Sequence, residues 1–154
     1  MEIPVTDVTN TSRLRLIFPA LGSVYAALHE GAETLLRLVA GVALVTHGLG
    51  KIGDPFGAAG MVESLGFYPG TFWSPLLSFT EFFGGMLIAA GLLTRPASLA
   101  AMFILLVTVW FHWVTMDQGF AGAEKSILWA SIFFFFVVRG GNRHSVDHRL
   151  GRQF

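Results

Sequence analysis

The stretch LLRLVAGVALVTHGLGK, residues 35–51, is almost wholly apolar, but it carries an arginine near one end and a histidine and a lysine near the other. A helix needs roughly 20 mostly apolar residues to cross the hydrocarbon core of a bilayer. Extended slightly to residues 32–52, the stretch reaches that length. It therefore predicts a transmembrane helix and raises the question of why Arg37, His47 and Lys51 stand within it.

The composition of the whole chain agrees with a membrane location. Of its 154 residues, 53% are hydrophobic and only 13% are charged, and the mean hydropathy of +0.63 lies outside the usual range of a soluble domain. Three further apolar segments, at 72–94, 96–116 and 123–139, are separated by stretches rich in turn-forming residues. The sequence thus predicts an all-α integral membrane protein, an antiparallel four-helix bundle.

The segments outside the four spans suggest three further parts. Residues 1–31 are apolar but interrupted by proline and glycine, which favours an N-terminal interfacial helix; a signal segment, cleaved or uncleaved, is the alternative. Residues 32–148 form the predicted transmembrane domain, and 149–154 form a basic cytoplasmic tail. The long connection 53–71 predicts an ordered cap at the membrane interface, either a lid or a simple loop.

The distribution of basic residues predicts the orientation of the chain, because cytoplasmic flanks are enriched in Lys and Arg. One side has only Lys51 and Lys125, and both termini fall on the opposite side. That side collects the other basic residues that flank the spans: Arg13, Arg15, Arg95, Arg139, Arg143, Arg149 and Arg152. The chain is therefore expected to be a multi-pass inner-membrane (plasma-membrane) protein with both termini in the cytoplasm.

Charge and cysteine content exclude several classes of function. A formal net charge of +0 gives no basic field for nucleic acid. The absence of cysteine excludes disulfides, iron–sulfur clusters and thiolate zinc sites, and no metal site is predicted. Redox chemistry would need another group, and electrons would have to come from a partner protein.

Ionisable residues inside a bilayer are costly and are usually functional. Glu81 falls near the middle of the second predicted helix, about 14 Å from its start, so its carboxylate should be protonated or paired. Arg37 lies near the inner boundary one turn after Glu33, which is compatible with either a structural ion pair or a ligand-binding role.

The outer half of the predicted bundle gathers the remaining candidates. His47 and Lys51 end the first helix, His112 lies on the third, and Glu124 begins the fourth. Together with Glu81 they could converge on one pocket that binds a carbonyl-bearing ligand, with Glu81 and Glu124 handling protons and His47, Lys51 and His112 holding the ligand. Apolar walls are expected from Phe82, Phe83, Trp110 and Trp113. Glu124 could instead be a favourable acid near a helix N-terminus.

Several motifs, in this order, carry a family resemblance: RLVAGVALVTHGLGK in the first helix, EFFGGMLIAAGLLTRPAS across the second turn, H…DQGF…AEKSIL from the third helix into the fourth, and GGNRHSVDH near the end. Over residues 32–148 the chain resembles the DoxX family of small four-helix membrane proteins. The resemblance implies a quinone-linked or redox-accessory subunit with a protein partner in a redox complex. The family-type positions include Arg37, His47, Lys51, His112, Glu124 and Asp147, and many members of the family have no assigned activity.

Three other functions remain open at this point. A b-type haem could be held between His47 and His112, although the wet, titratable surroundings favour a quinone over a haem. A scaffold could anchor another protein through the 53–71 cap or the basic tail. A small transporter is less well supported, since only one charge lies clearly at the midplane and no internal repeat is visible.

Overall fold

The computed structural model describes residues 16–152, and it contains four helices that are long and apolar enough to cross a membrane. The first is α1, Gly22–Ile52, which follows a 3₁₀ turn at Pro19–Leu21. The others are α3, Gly70–Ala90, α4, Thr94–Thr115, and α5, Gly119–Arg139. Short helices α2, Ala59–Ser64, and α6, Val146–Arg149, complete the chain. The all-α, four-helix membrane bundle predicted from the sequence is confirmed.

Helix α1 begins ten residues before the predicted first span. It runs without a break through residue 32, because Gly31 is the single glycine inside this stretch and Pro19 precedes the helix, where its missing N–H costs little. Residues 22–31 are therefore continuous with the first span and do not form a separate helix. The predicted N-terminal segment also includes residues 1–15, which lie outside the described part together with residues 153 and 154.

Helices α1 and α3 pack closely in antiparallel order through glycine. A Cβ added at Gly41 would lie 2.5 Å from the backbone nitrogen of Ala89, and one at Gly48 would lie 2.6 Å from that of Phe82. This register places the end of α1, at Ile52, beside Ser78 of α3. The first two turns of α3 therefore extend about 12 Å beyond α1, and another part of the chain has to cover them.

Residues 53–69 occupy this space. They are the predicted 53–71 connection without residues 70 and 71, which belong to α3, and they are named the cap from here on. The cap contains α2 and is fastened to α3 by side-chain hydrogen bonds. Glu63 Oε1 accepts from the backbone N–H of Gly70 at 2.7 Å, and Ser74 Oγ donates to the Pro55 carbonyl at 2.6 Å while accepting from the Ala58 N–H at 3.2 Å. The cap is thus an ordered element, and it defines the cap end of the bundle.

The opposite end, named the tail end, is closed by residues 140–152. Asp147 on α6 is buried, and its carboxylate accepts from the N–H groups of Leu93 and Thr94 and from the Thr94 hydroxyl, at 2.8, 3.0 and 2.7 Å. The two N–H groups lie at the start of α4, where a helix leaves backbone donors without an internal partner, and Asp147 supplies that partner. The tail is therefore docked against the bundle, with Arg149 as the last residue of α6.

Two of the four long helices contain a single π-helical turn, at Thr80–Gly84 in α3 and at Phe111–Thr115 in α4. Such turns insert an extra residue and change which side chains face a neighbouring helix, and they are frequent at functional sites. Glu81 lies in the first turn and His112 in the second. The two most polar residues of these helix segments are thus placed by local departures from the α-helix.

Candidate ligand-binding cavity

A cavity of about 320 Å³ lies between α3, α4 and the cap. Its walls are mostly apolar, and its volume is near the lower limit of typical small-molecule sites. The cap, α3 and α4 each contribute aromatic side chains to this lining. They are Phe67 from the cap, Trp73 from α3, and Phe103 and Phe111 from α4.

The main polar feature of the cavity is an ion pair between Lys51 and Glu81. Lys51 Nζ lies 2.5 Å from Glu81 Oε2, and both residues line the cavity. The Glu81 side chain is only 9% exposed, whereas that of Lys51 is 35% exposed. The structure thus supplies the partner that the depth of Glu81 required, and it leaves part of the lysine open to the cavity.

The depth of this ion pair explains why the pairing is needed. Glu81 is about 16 Å from Gly70 and about 14 Å from Ala90 along α3, so it lies near the middle of this spanning helix. Lys51 reaches the same level because α1 ends early beside α3. An unpaired carboxylate or ammonium at this depth would be costly, and the pair offsets much of that cost.

His112 is the third ionisable residue that lines the cavity. Its Nδ1 lies 2.9 Å from Gln118 Oε1 in the turn between α4 and α5. With the amide oxygen facing the ring, a neutral imidazole carries its proton on Nδ1, and Nε2 is its acceptor. Gln118 therefore orients the ring and selects its tautomer.

His47 lies elsewhere, in contrast to the predicted convergence. It lines a separate cavity of about 40 Å³ together with Leu44, Trp129 and Phe133. Lys51 is one turn further along α1, and its long side chain extends to Glu81, whereas the short His47 ring stays beside α5. A haem between His47 and His112 gains no support from this arrangement, because the two rings line different cavities.

Glu124 is also absent from the cavity lining. It is exposed on the second turn of α5, and the first turn contains no acidic residue. The alternative of an acid favoured by the helix N-terminus therefore also gains no support, because that effect falls off within the first turn. The predicted part of Glu124 in proton transfer remains a prediction without support from the geometry.

The predicted apolar walls were assigned to the wrong aromatic residues. None of Phe82, Phe83, Trp110 and Trp113 lines the cavity, and three of them are at least 44% exposed, at positions that suit contact with lipid. The cap supplies walls that were missed. Its aromatic content was visible in the sequence, but its position beyond α1 depended on the register between α1 and α3.

Arg37 lies at the tail end and not in the cavity. It is 2% exposed, and its Nη1 donates to the carbonyl oxygens of Ile88 at 2.9 Å and Ala89 at 2.7 Å. These carbonyls end α3, where helices leave acceptors unsatisfied. Gly91, in the left-handed conformation, makes room, because a Cβ there would lie 2.4 Å from Arg37 Nη1.

The expected ion pair between Arg37 and Glu33 is not formed. Glu33 instead pairs with Arg139 of α5 at 3.0 Å and with His29 at 3.2 Å. The i, i+4 spacing permitted the pairing along one helix, but α3 and α5 approach α1 from different sides and offer each residue a nearer partner. Arg37 thus holds the turn after α3, and Glu33 holds the end of α5.

No metal site is evident in the part of the chain that the structure covers. Across residues 16–152, no group of three or more His, Cys, Asp or Glu side chains is arranged to hold a metal ion. Two groups of buried or part-buried ionisable residues stand out among the described residues: a cavity group, Lys51, Glu81 and His112, and a tail-end group centred on Arg37 and Asp147.

Comparison with known proteins agrees with this architecture. A family model described as DoxX matches residues 32–113, slightly more than half of the chain. The chain belongs to the DoxX family. The match includes α3, the cap, most of α1 and most of α4, and so all three ionisable residues of the cavity.

One relative of this DoxX protein is inner membrane protein YqjF of Escherichia coli (strain K12). The two sequences are 30% identical over 134 residues, which cover 82% of this chain and 98% of the relative. No solved structure matches the chain. The family, the relative and the four spanning helices together establish a multi-pass inner-membrane protein.

Proposed function

We propose that this protein binds a quinone in the cavity between α3, α4 and the cap, and that it serves as the membrane subunit of a quinone-linked redox system. The observation that carries the proposal is the placement of the Lys51–Glu81 ion pair on the wall of a mostly apolar cavity of about 320 Å³. Apolar pockets with a few converging polar groups are typical ligand sites. A quinone has a flat apolar ring with carbonyl oxygens, which suits these walls.

Lys51 is the proposed donor to a ligand carbonyl. An ammonium group has three N–H donors, and the contact with Glu81 uses one of them. Because 35% of the lysine side chain is exposed, the other donors are accessible from the cavity. Glu81 holds the ammonium in position and can take up a proton as the ligand changes charge.

His112 is proposed to complete the polar surface. Its Nδ1 lies 2.9 Å from Gln118 Oε1. In the tautomer that donates from Nδ1 to this oxygen, the ring presents Nε2 as an acceptor, which suits a hydroxyl group of a reduced ligand. The cavity thus combines a donor, Lys51, with an acceptor, His112. The two could serve the carbonyl and hydroxyl forms of one ligand.

The bound quinone would supply the two-electron chemistry, and the chain would supply binding, orientation and protons. The sequence contains no cysteine that could hold an iron–sulfur cluster or a redox disulfide. We therefore propose that electrons are exchanged with a partner protein.

We also propose that the tail end faces the cytoplasm. Arg95, Arg139, Arg143, Arg149 and Arg152 all lie near that end, whereas Lys51 is paired with Glu81 inside the bundle. Lys125 is left as the one basic residue at the cap end among the described residues, which strengthens the positive-inside pattern. A periplasm-specific label should react with a cysteine placed in the cap, and reaction only after cell lysis would reverse the orientation.

Binding can be measured through Trp73, which lines the cavity. In a variant that retains Trp73 as its only tryptophan, a short-tailed benzoquinone titrated into detergent-solubilised protein should quench the fluorescence with saturation. The double variant K51M/E81Q removes the donor without leaving an unpaired charge, and it should weaken binding roughly tenfold, the equivalent of about 1.4 kcal/mol for one lost hydrogen bond.

Lys125→Met is the matched control, because Lys125 is exposed on α5 and lies outside the cavity. Its affinity should equal that of the parent. Quenching that does not saturate, or equal affinities of the parent and K51M/E81Q, would contradict the proposed site.

A further inference from the structure

We propose that the ligand enters the cavity sideways from the hydrocarbon core, through a mouth between α3 and α4, and that it carries an apolar tail that stays in this mouth. This inference rests on the proposed function and adds a route and a ligand class to it. The ligand is a membrane-borne amphiphile whose head hydrogen-bonds to Lys51, not a molecule taken from water.

The mouth is defined by Leu76 on α3 and Phe103 on α4. Both line the cavity, and both are also on the outer surface of the bundle, with exposed fractions of 45% and 49%. Leu76 is about 9 Å from the start of α3, and Phe103 is about 14 Å from the start of α4. Both positions fall within the roughly 30 Å of hydrocarbon that a spanning helix crosses.

Helices α3 and α4 are separated at this mouth, because their contacts with each other lie nearer the tail end. Contacts between α4 and α3 are made mainly by the π turn, Thr80–Gly84, and by the residues that follow it, Gly85–Ala90. Between that turn and the cap, the space is taken by the cavity. The opening therefore faces the acyl chains and is bordered by side chains that prefer them.

The side toward water is covered in part by the cap, whose Met61 also lines the cavity and is 48% exposed. Val62 is buried at 7% exposure, and the Phe67 ring packs edge-on against Trp73 and Phe103, at centroid distances of 5.3 and 6.5 Å. The hydrogen bond from the Gly70 N–H to Glu63 holds the cap against α3. The Phe67–Trp73 contact lies apart from the mouth, so a ligand that arrived through the cap would have to displace it, whereas one that arrived between Leu76 and Phe103 would not.

The shape of the cavity suits a head with a tail. Its α4 wall runs from Ala100 to His112, about 18 Å at 1.5 Å per residue, which is longer than a single six-membered ring. The ionisable groups Lys51, Glu81 and His112 suit the head. The remaining apolar length suits the first part of a hydrocarbon tail.

Photolabelling can test both the route and the ligand class. The full-length protein would be placed in phosphatidylcholine nanodiscs with two benzoquinones that carry a ten-carbon tail, one with a diazirine on the ring and one with it partway along the tail. After irradiation, labelled residues would be located by mass spectrometry. The ring probe should label the cavity interior near Thr80 and Thr108, and the tail probe should label Leu76 or Phe103.

Bulky substitutions at the mouth provide the second measurement. L76W and F103W together should reduce labelling by both probes roughly tenfold, the equivalent of about 1.4 kcal/mol. The matched control is L106W with F79W, which adds the same bulk at similarly exposed sites of α4 and α3 that do not line the cavity. The control should be labelled like the parent.

The outcomes separate this inference from the function on which it rests. Ring labelling inside the cavity, combined with tail labelling of cap residues such as Met61 or Leu65, would overturn the lateral route and keep the quinone site. Equal labelling of the mouth variant and the parent would do the same. Ring labelling outside the cavity would overturn both proposals.

Discussion

The tail end and the cap end of this bundle use buried charge in different ways. At the tail end, Arg37 and Asp147 are each 2% exposed, and their polar atoms meet backbone groups at the ends of α3 and α4. Nearer the cap end, Lys51 and Glu81 meet each other on the wall of a cavity. The first arrangement satisfies helix ends, whereas the second leaves donors available to a ligand.

The difference shows that burial of a charged residue does not by itself indicate a site. Arg37 is the more deeply buried cation, yet its bonds serve the turn between α3 and α4. Lys51 is less buried, and it is this partial exposure toward an apolar space that makes it a candidate for binding. A buried charged group indicates a binding site when it still faces open space after its bonds to other protein groups are counted.

The largest expected effect comes from breaking the tail end. Arg37→Gln removes the donor to the Ile88 and Ala89 carbonyls and leaves a cavity beside Gly91. We expect a loss of about 4 kcal/mol in unfolding free energy, seen as a much lower yield and unfolding temperature in detergent. Arg143→Gln is the control, because that side chain is exposed at the same end of the bundle, and the change should cost less than about 1 kcal/mol.

The quinone affinity of the folded fraction of Arg37→Gln tests whether Arg37 contributes to binding. It should match that of the parent, since Arg37 lies outside the cavity lining. Normal stability with lost binding would move Arg37 into the site and remove the distinction between the two ends.

An intermediate effect is expected from removing one member of the cavity ion pair. Lys51→Met leaves Glu81 unpaired at 9% side-chain exposure, which should lower the unfolding free energy by about 3 kcal/mol. Adding Glu81→Gln should restore most of this loss, because no uncompensated charge remains. Thermal unfolding of the two single variants and the double variant gives the coupling free energy between Lys51 and Glu81. Additive losses of stability would mean that the two groups do not depend on each other.

The smallest effects compare two glycines of α1 near the site. Gly48→Ala places a Cβ 2.6 Å from Phe82 in the π turn that carries Glu81, whereas Gly50 has open space around it. Gly48→Ala should destabilise the protein by about 2 kcal/mol, and Gly50→Ala should stabilise it by about 0.5 kcal/mol. Unfolding temperatures in the same detergent distinguish them. Equal shifts would show that α1 and α3 are not in close contact at this level.

Part of the candidate site could be predicted from sequence because depth along a helix follows from residue number. Depth predicts that the Glu81 carboxylate needs a partner and that Lys51 and His112 are possible neighbours. It predicts the same of His47 and Glu124, yet they lie apart from the cavity. Depth gives the level of a side chain, but it does not give the direction in which that side chain points.

Direction depended on features that hydrophobic patterning does not reveal. Glu81 and His112 lie in π turns, at Thr80–Gly84 and Phe111–Thr115, where side-chain directions differ from those of an ideal helix. The early end of α1 beside Ser78 gave the cap its position and brought Lys51 to the level of Glu81. That level follows from the register in which α1 and α3 pack.

By itself, the sequence determined that this chain is a helical membrane protein with four spans, because the length and apolar character of a spanning helix are set by the bilayer and can be read from one segment at a time. Only the tertiary structure decided which charged residues meet. Pairing of Lys51 with Glu81, and of Arg37 with the end of α3, depends on helix register and rotation. Those quantities arise from close packing between segments distant in sequence, and no single segment encodes them.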